Sequence, residues 1–433
     1  MKIGVVSLGC VKNRVDSEQM LFLLTQAGHK IVQDEREADI LIVNTCGFID
    51  SAKEESIDTI FEMAQYKQTG RCKLLVVTGC LAQRYGRDLM AEIPEIDCML
   101  GVNRYENIIQ DIDRALKGER VFDTDDPLTF LECGRVLTTP SYSAYIRIGD
   151  GCDNKCAYCA IPLIRGKYRS RNENDILNEM RLLAASGVRE QILIAQDTTK
   201  YGRDNGKDLK NLIRQSAQIE GIDWLRVLYM YPDETGLDLL EEMASHDNVV
   251  KYLDLPLQHA SDSLLLKMNR RGNRKSTLQL LKKAREMGFC LRTTFIVGFP
   301  GETADDFKQL MDFTEEIRFD RMGAFAYSAE ENTAACDFPD QIPDEVKQER
   351  LDCLMRLQAG ISLERNQLRL GKTEKVLITG HNGMTYTGRS AFEAPDADGE
   401  IMVMSDNELK EGEFYPVKIT GADTYDLSGE AQC

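Results

Sequence analysis

The chain has 433 residues, of which 42% are hydrophobic and 29% are charged, and its formal net charge at pH 7 is −18. This length predicts two or three domains, and no apolar run reaches the roughly 18 residues of a membrane span. The acidic balance argues against nucleic acid as the main partner, because phosphate binding needs clustered Lys and Arg.

The first residues, MKIGVVSLGC, predict a strand rather than a targeting leader, so we expect a cytosolic (cytoplasmic) protein without membrane association. In a reducing compartment, grouped thiols among the thirteen cysteines indicate a metal or redox site rather than disulfides. Isolated cysteines are usually small buried apolar residues. We interpret seven cysteines in this way: Cys72, Cys98, Cys133, Cys290, Cys336, Cys353 and Cys433.

Residues 1–122 alternate near-continuous apolar strands with helices, among them the amphipathic segment NRVDSEQMLFLLTQAG. This alternation is typical of an α/β domain whose parallel sheet is covered on both faces. Cys10, Cys46 and Cys80 each follow the carboxyl end of a strand, and in a parallel sheet these ends meet at one edge. We therefore expect the three cysteines to converge; the alternative is three unrelated loop cysteines.

Residues 123–140 are acidic and aperiodic and predict a linker. Over 141–370, six strands alternate with helices and predict an open (β/α)6 partial barrel that ends in a long helix. Residues 371–433 contain short alternating strands and predict a small antiparallel β-barrel. This last segment has five Lys or Arg against twelve Asp or Glu, a net charge of −7.

The stretch GDGCDNKCAYCAIP places Cys152, Cys156 and Cys159 directly after the first strand of the predicted barrel. Thiolates are preferred ligands of zinc, copper(I) and iron-sulfur clusters. A structural zinc ion needs a fourth ligand, and this loop contains no histidine. A 4Fe-4S cluster held by three cysteines keeps one iron open for a substrate or cofactor. The spacing therefore favours a cluster over zinc.

The segment CDNKCAYC, with Tyr158 before its third cysteine, resembles the signature of radical S-adenosylmethionine enzymes. This resemblance implies that S-adenosylmethionine chelates the open iron and is cleaved by one electron to a 5′-deoxyadenosyl radical. The cofactor itself performs this chemistry.

The segments SLGCVKNRVDSE, VNTCGFID and TGCLAQR resemble the second-cluster domain of methylthiotransferases, and the C-terminal barrel resembles a TRAM domain. The resemblance covers essentially the whole chain. It implies two 4Fe-4S clusters, the second of which carries the inserted sulfur, and a methyl group from another S-adenosylmethionine. It implies no catalytic residues beyond the clusters. The chain has no flavin or dinucleotide motif, so we expect an external electron donor of the flavodoxin or ferredoxin type; the sulfur donor stays open.

Two types of methylthiotransferase compete. The RimO type modifies the β-carbon of an aspartate in small-subunit ribosomal protein twelve, and the MiaB type modifies adenosine in tRNA. The segments IPLIRGKYRSR, AQDTTKYGRD, LDLPLQHASD and RTTFIVGFPGET resemble the RimO type. An acidic barrel repels phosphate and suits a basic ribosomal protein. We therefore expect the protein substrate, either free or within the ribosomal subunit, with the tRNA substrate as the alternative.

Further cofactor contacts are expected, by resemblance, at Tyr158, Gln196, Asp197 and Gly298. Gln196 and Asp197 follow the second barrel strand, where family members contact the methionine part of the cofactor. Gly298 lies in GFPGET, which brings backbone close to a ligand such as the adenosine. A turn cap at Asp197 and a simple tight turn at Gly298 are the alternatives.

Three other features each have two interpretations. His259 is either a pocket residue near the substrate or a structural histidine. Residues 264–285 contain eight Lys or Arg and no acid, and they form either a solvated helix face or a contact with ribosomal RNA. Arginine forks suit a target carboxylate, and the candidates for this role are Arg165, Lys167, Arg169 and Arg171.

Overall fold

The computed structural model describes residues 1–125, 130–383 and 385–432, so Cys433 and part of the predicted linker lie outside the described residues. The chain divides into two compact units. The first consists of Met1–Thr139, Tyr145–Glu179 and Glu330–Thr333; the second consists of Pro140–Ala144, Met180–Ala329 and the chain from Ala334 onwards. The domain boundaries at residues 122, 140 and 370 stay a prediction.

The first unit contains the expected parallel sheet, with strands in the order β2-β1-β3-β4-β5-β6. Its two central strands are buried along their full length, which agrees with their continuous apolar sequences. The strands are β1 (Lys2–Ser7), β2 (Lys30–Ile31), β3 (Ile40–Thr45), β4 (Leu74–Gly79), β5 (Cys98–Leu100) and β6 (Val121–Asp123).

Helices cover both faces of this sheet, because successive strand residues point to opposite sides. Leu41 and Val43 of β3 pack against two helices on one face, and Ile40 and Ile42 pack against two others on the opposite face. In chain order the helices are α1 (Val11–Gln26), α2 (Asp50–Thr69), α3 (Cys80–Glu92) and α4 (Ile108–Leu116). The first face is covered by α2 and α3, and the second by α1 and α4.

Helix α1 is not the simple amphipathic helix that the sequence predicted. Four successive polar residues, Asp16, Ser17, Glu18 and Gln19, are all at most 4% exposed. They are buried because hydrogen bonds replace the lost water; Glu18, for example, accepts from Thr138 N at 2.8 Å. The prediction was wrong because the partners of these side chains are distant in sequence.

A short segment carries the cysteine triplet in the first unit. Strands β8 and β9 pair antiparallel, Gly149 with Ser170 and Asp150 with Arg169, and so bring together the two ends of the triplet loop. The elements of this region are β7 (Ser143–Arg147), β8 (Gly149–Asp150), α5 (Ile161–Arg165), β9 (Arg169–Ser170) and α6 (Glu173–Ala185).

The six expected barrel strands are all present and form two three-stranded sheets, connected by a parallel bridge between Leu225 and Val249. The remaining barrel strands are β10 (Glu190–Ile194), β11 (Trp224–Val227), β12 (Tyr252–Gln258), β13 (Cys290–Val297) and β14 (Arg321–Ala326). Their orders are β11-β10-β7 and β12-β13-β14, an open arrangement within the described residues. The helices are α7 (Leu209–Ala217), α8 (Leu237–Ala244), α9 (Asp262–Lys267), α10 (Arg274–Glu286), α11 (Ala304–Ile317) and α12 (Asp344–Gln367).

The C-terminal strands close into a small barrel in the order β15-β16-β17-β19-β18. The strands are β15 (Thr373–His381), β16 (Tyr386–Arg389), β17 (Ile401–Met404), β18 (Phe414–Ala422) and β19 (Leu427–Ala431). Four of the five strand pairs are antiparallel, as expected, and β17 and β19 run parallel. A closed ring of five strands cannot alternate direction at every pair, so one parallel pair is unavoidable.

Isolated cysteines are only partly as predicted. Cys72, Cys98 and Cys290 are buried, whereas the other three described ones, Cys133, Cys336 and Cys353, are partly exposed. No helix within the described residues is both long and apolar enough to cross a membrane.

A buried ion network in the second unit connects the strands to the C-terminal barrel. Glu190 of β10 is fully buried and binds Arg226 of β11 at 3.1 Å and Arg389 of β16 at 2.7 Å. Burial alone would raise the pKa of Glu190, but the two guanidinium groups hold it below its ordinary value. The ring of Trp224, whose residue pairs with Glu190 in the sheet, lies 4.7 Å from the ring of Phe414.

We predict that Glu190→Gln destabilises the second unit by about 3–5 kcal/mol, because two buried guanidiniums lose their counter-charge. Trp224 is the single tryptophan of the chain, so urea unfolding followed by its fluorescence reports on this region. The control is Asp312→Asn, which removes the exposed pair with Lys308 and should shift the midpoint little. Equal midpoints for the two variants would contradict the prediction.

Candidate metal centre

Cys10, Cys46 and Cys80 lie at the same edge of the first sheet. They follow β1, β3 and β4, which are neighbours and parallel. Cys46 Sγ lies beside Gly9, the residue before Cys10, and Cys80 Sγ lies 3.6 Å from Asn13 Oδ1, three residues after Cys10, so the three cysteines lie near one another as the sequence predicted. Gly9 permits it: its φ is +83°, and a Cβ there would lie 3.0 Å from Cys46 Sγ.

Asn13, in the first turn of α1, connects all three cysteine loops. Its Nδ2 donates to Leu8 O at 3.1 Å and to Thr45 O at 2.9 Å, two carbonyls just ahead of the first two cysteines. These bonds point Oδ1 toward the third cysteine, where it accepts from the Cys80 thiol at 3.6 Å. Sequence reasoning missed Asn13, although its position three residues after Cys10 on a helix was readable.

A charge-balanced network lies beside Cys80 in the interior. The carboxylate of Asp16 accepts hydrogen bonds from Arg147, from Arg165 at 3.1 Å and from Tyr105 Oη at 2.9 Å. Arg165 also donates to Asp150 at 3.1 Å. The side chains of both arginines and both aspartates are at most 4% exposed. Two negative and two positive charges therefore neutralise one another without water.

Arg165 and Arg171 are not available to orient a target carboxylate, which corrects that part of the prediction. Arg165 is bound to Asp16 and Asp150, and Arg171 is bound to Glu132 and Glu179. Two of these partners, Asp16 and Glu132, are far away in sequence, and none of the four lies within the local pattern IRGKYRSR. Of the other two candidates, Lys167 is exposed and Arg169 is half-buried.

The triplet cysteines are half-buried in one loop between β8 and α5. Cys152 N donates to Gly166 O at 3.1 Å, and Cys159 N donates to Cys156 O at 3.1 Å, so the backbone has a fixed path. Ala160 and Ile164 pack in one apolar cluster with Cys80 and Val102. The residue next to Cys159 thus belongs to the same buried cluster as Cys80.

The donor set fits clusters better than a single ion. Within the described ranges, no three His, Cys, Asp or Glu side chains are grouped as ligands of one metal ion. In a 4Fe-4S cluster each cysteine binds a different iron. Three thiols in one loop and three thiols at the ends of neighbouring strands therefore each fit a 4Fe-4S cluster with one open iron.

Comparison with known proteins identifies the family. Family models match residues 2–101 (Uncharacterized protein family UPF0004), 146–314 (Radical SAM superfamily) and 370–431 (TRAM domain). The "Ribosomal protein uS12 methylthiotransferase RimO" of Desulforamulus reducens is 49% identical over 99% of both chains. The protein of the same name from Clostridioides difficile is 48% identical over 99% of this chain and 98% of its own. The chain belongs to the RimO family.

Solved structures of distant proteins agree on the fold. The radical S-adenosylmethionine methyltransferase TsrM from Kitasatospora setae, with cobalamin and a [4Fe-4S] cluster bound, has a TM-score of 0.57. Its sequence is 16% identical, and the match covers 75% of this chain and 74% of that one. The cobalamin-dependent S-adenosylmethionine radical enzyme OxsB has a TM-score of 0.52 at 11% identity, covering 82% and 56%. At these identities only the fold is shared.

Three of the four other predicted cofactor contacts of this RimO family member lie at two barrel strands of the second unit. Asp197, after β10, accepts from Thr199 N at 3.1 Å and so caps a turn. Gly298, after β13, has a φ of +71°, and its N–H donates to Glu302. Gln196 also follows β10, whereas Tyr158 is half-buried in the first unit. The structural alternatives for Asp197 and Gly298 are thus observed, and direct cofactor contact stays a prediction.

His259 is buried and neutral. Its Nδ1 accepts from Ser261 N at 3.0 Å, and no partner for Nε2 is found within the described residues. Burial lowers the pKa of His259 to about 3. The side chain is 2% exposed, which favours the structural interpretation.

The basic stretch 264–285 is largely neutralised by carboxylates. Arg271 binds Asp233 and Glu234, and Arg285 binds Asp320. Further pairs are Lys282 with Glu316 and Lys283 with Glu286. This pattern favours an ion-paired helix face over a contact with ribosomal RNA.

We predict unequal alkylation of the N-terminal cysteines in iron-free protein at pH 8. Burial, together with the neighbouring thiols of Cys10 and Cys46, raises the pKa of Cys80 to about 12, so about one thiol in ten thousand is ionised. Cys10 is exposed. In a timed iodoacetamide reaction followed by peptide mass spectrometry, Cys10 should react first and Cys80 should react as slowly as buried Cys98.

Equal reaction rates for Cys10 and Cys80 would contradict this arrangement. Cys98 is the matched control, because burial also raises its pKa but it belongs to neither cysteine set.

Proposed function

We propose that this chain inserts sulfur and a methyl group at the β-carbon of an aspartate in small-subunit ribosomal protein uS12. The observation that supports this most strongly is full-length similarity to proteins named ribosomal protein uS12 methylthiotransferase, at 48–49% identity. The match covers 99% of this chain, so the C-terminal barrel is part of the similarity that supports the proposed substrate.

Both cysteine sets are proposed to hold 4Fe-4S clusters, with S-adenosylmethionine on the open iron at Cys152, Cys156 and Cys159. When bound, these cofactors supply the radical, the sulfur and the methyl group. The protein's part is to hold the thiolates and exclude water. The apolar cluster of Val102, Ala160 and Ile164 around Cys80 performs the second task, because each of these side chains is at most 3% exposed.

We propose that Asp197 and Gly298 contribute to cofactor binding mainly by fixing the backbone of the turns in which they lie. The Asp197 carboxylate is occupied by Thr199, and the Gly298 N–H is occupied by Glu302. Both residues therefore define the turns after β10 and β13, which are the strand ends where barrel folds bind ligands. Gln196 and Tyr158 remain as candidates for side-chain contact with the cofactor.

Charge supports a protein partner over tRNA. The segment from 371 to 433 has a net charge of −7. The loop between β17 and β18 presents four exposed acids, Asp406, Glu408, Glu411 and Glu413. Such a surface repels phosphate and attracts a basic protein. We place the reaction in the cytoplasm, where ribosomal proteins are made, with an external flavodoxin or ferredoxin as electron donor.

We predict about eight irons per chain after anaerobic reconstitution, because two 4Fe-4S clusters contain about eight. Replacing Cys152, Cys156 and Cys159 by Ala should lower the iron content to about half, and replacing Cys10, Cys46 and Cys80 by Ala should do the same. A colorimetric iron assay measures both. Cys336→Ala, a half-buried cysteine outside both sets, is the control and should change nothing.

Deletion of the gene tests the substrate. Mass spectrometry of uS12 from the deletion strain should show loss of the methylthio group, while methylthio-adenosine in tRNA persists. The wild-type gene should restore the modification, and a Cys156→Ala gene should not. Loss of the group from tRNA with uS12 unaffected would instead establish the tRNA-modifying function.

A further inference from the structure

Arg165 lies six residues after Cys159 in sequence but contacts a cysteine of the other set. Its Nη2 lies 3.8 Å from Cys80 Sγ, a distance compatible with an N–H···S hydrogen bond. We infer that Arg165 is a positioning residue for the cluster at Cys10, Cys46 and Cys80, and that its charge raises the reduction potential of that cluster. This inference rests on the proposed function, because it requires a cluster at these cysteines.

The guanidinium of Arg165 is held from two sides. Asp150 accepts from Nη1 at 3.1 Å, while Asp16 and Asn13 accept from Nη2 at 3.1 and 2.8 Å. The side chain is 1% exposed, so it has no room to turn away from Cys80. Asn13 is itself fixed by the carbonyls ahead of Cys10 and Cys46. The position of Arg165 is thus coupled to all three cysteine loops.

The charge of Arg165 is permanent. An arginine guanidinium in a protein does not lose its proton at any working pH, so the positive charge is always present. A positive charge acts strongly on a neighbouring thiolate where water is excluded. Hydrogen bonds and positive charge at cluster sulfurs favour the more negative, reduced state and so raise the potential.

Arg165 also connects the two cysteine sets. Helix α5 begins two residues after Cys159 and ends at Arg165, and its Ile164 packs against Cys80. The segment that follows the triplet therefore supplies both an apolar wall and a cation to the other site. This placement assigns the arginine of IPLIR to the cluster environment rather than to the target carboxylate.

The test uses the full-length chain with Cys152, Cys156 and Cys159 replaced by Ala, so that only the N-terminal cluster is present. In this background Arg165→Gln should shift the cluster potential to more negative values in a titration followed by electron paramagnetic resonance. Arg165→Lys, which keeps the charge, should shift it less. Iron content is measured on every variant.

Two further variants make the result interpretable. Arg165→Gln with Asp150→Asn removes a buried ion pair without leaving an unpaired charge, so it tests the inference even if the single variant fails to fold. Arg171→Gln is the matched control, because Arg171 is an equally buried arginine of the same segment that binds Glu132 and Glu179. It should leave the potential unchanged.

The outcomes separate two failures. A parent chain that binds no iron contradicts the proposed cluster and the inference together. A parent with about four irons, whose potential is unchanged by Arg165→Gln and by the double variant, contradicts the inference alone. An equal shift of the cluster potential in Arg171→Gln also overturns the inference. The shift would then come from the loss of any buried arginine in this segment, and not from the charge beside Cys80.

Discussion

Two carboxylates and two guanidinium groups, buried in the first unit, fix the positions of the elements around the cysteines. Asp16 on α1, Arg147 on β7, Asp150 on β8 and Arg165 on α5 are each stable there only because the others are present. Removing one partner would leave a buried charge without compensation. The network therefore holds α1, β8 and α5 together, and these are the elements adjacent to the two cysteine sets.

The second unit uses the same physical solution elsewhere. Glu190 is shared by Arg226 and Arg389, and Glu393 is shared by Arg321 and Arg369. Both carboxylates are at most 1% exposed. In each network a barrel strand and the C-terminal segment contribute opposite charges: Glu190 pairs with Arg389, and Arg321 pairs with Glu393. Acids of the C-terminal segment thus have two roles, since some are buried in ion pairs and others, such as Glu408, face solvent.

The predictions that failed did so for one kind of reason. Helix α1 was expected to be amphipathic, but the acids that face inward are matched by arginines more than 100 residues away. Arg165 and Arg171 were candidates for the target carboxylate, but both are paired with carboxylates of this chain. Ion pairs of this kind have no fixed spacing along the chain, so they leave no periodic pattern in the sequence.

The sequence by itself determined the architecture and the location of the cysteines. Apolar runs alternating with helices define parallel strands, and Cys10, Cys46 and Cys80 had to meet because such strands end at one edge. Only the tertiary structure decided what surrounds them: Asn13 linking three loops, and Arg165 directed at Cys80. Strands and helices follow from local periodicity, whereas the charges beside a thiol depend on which distant segments pack together.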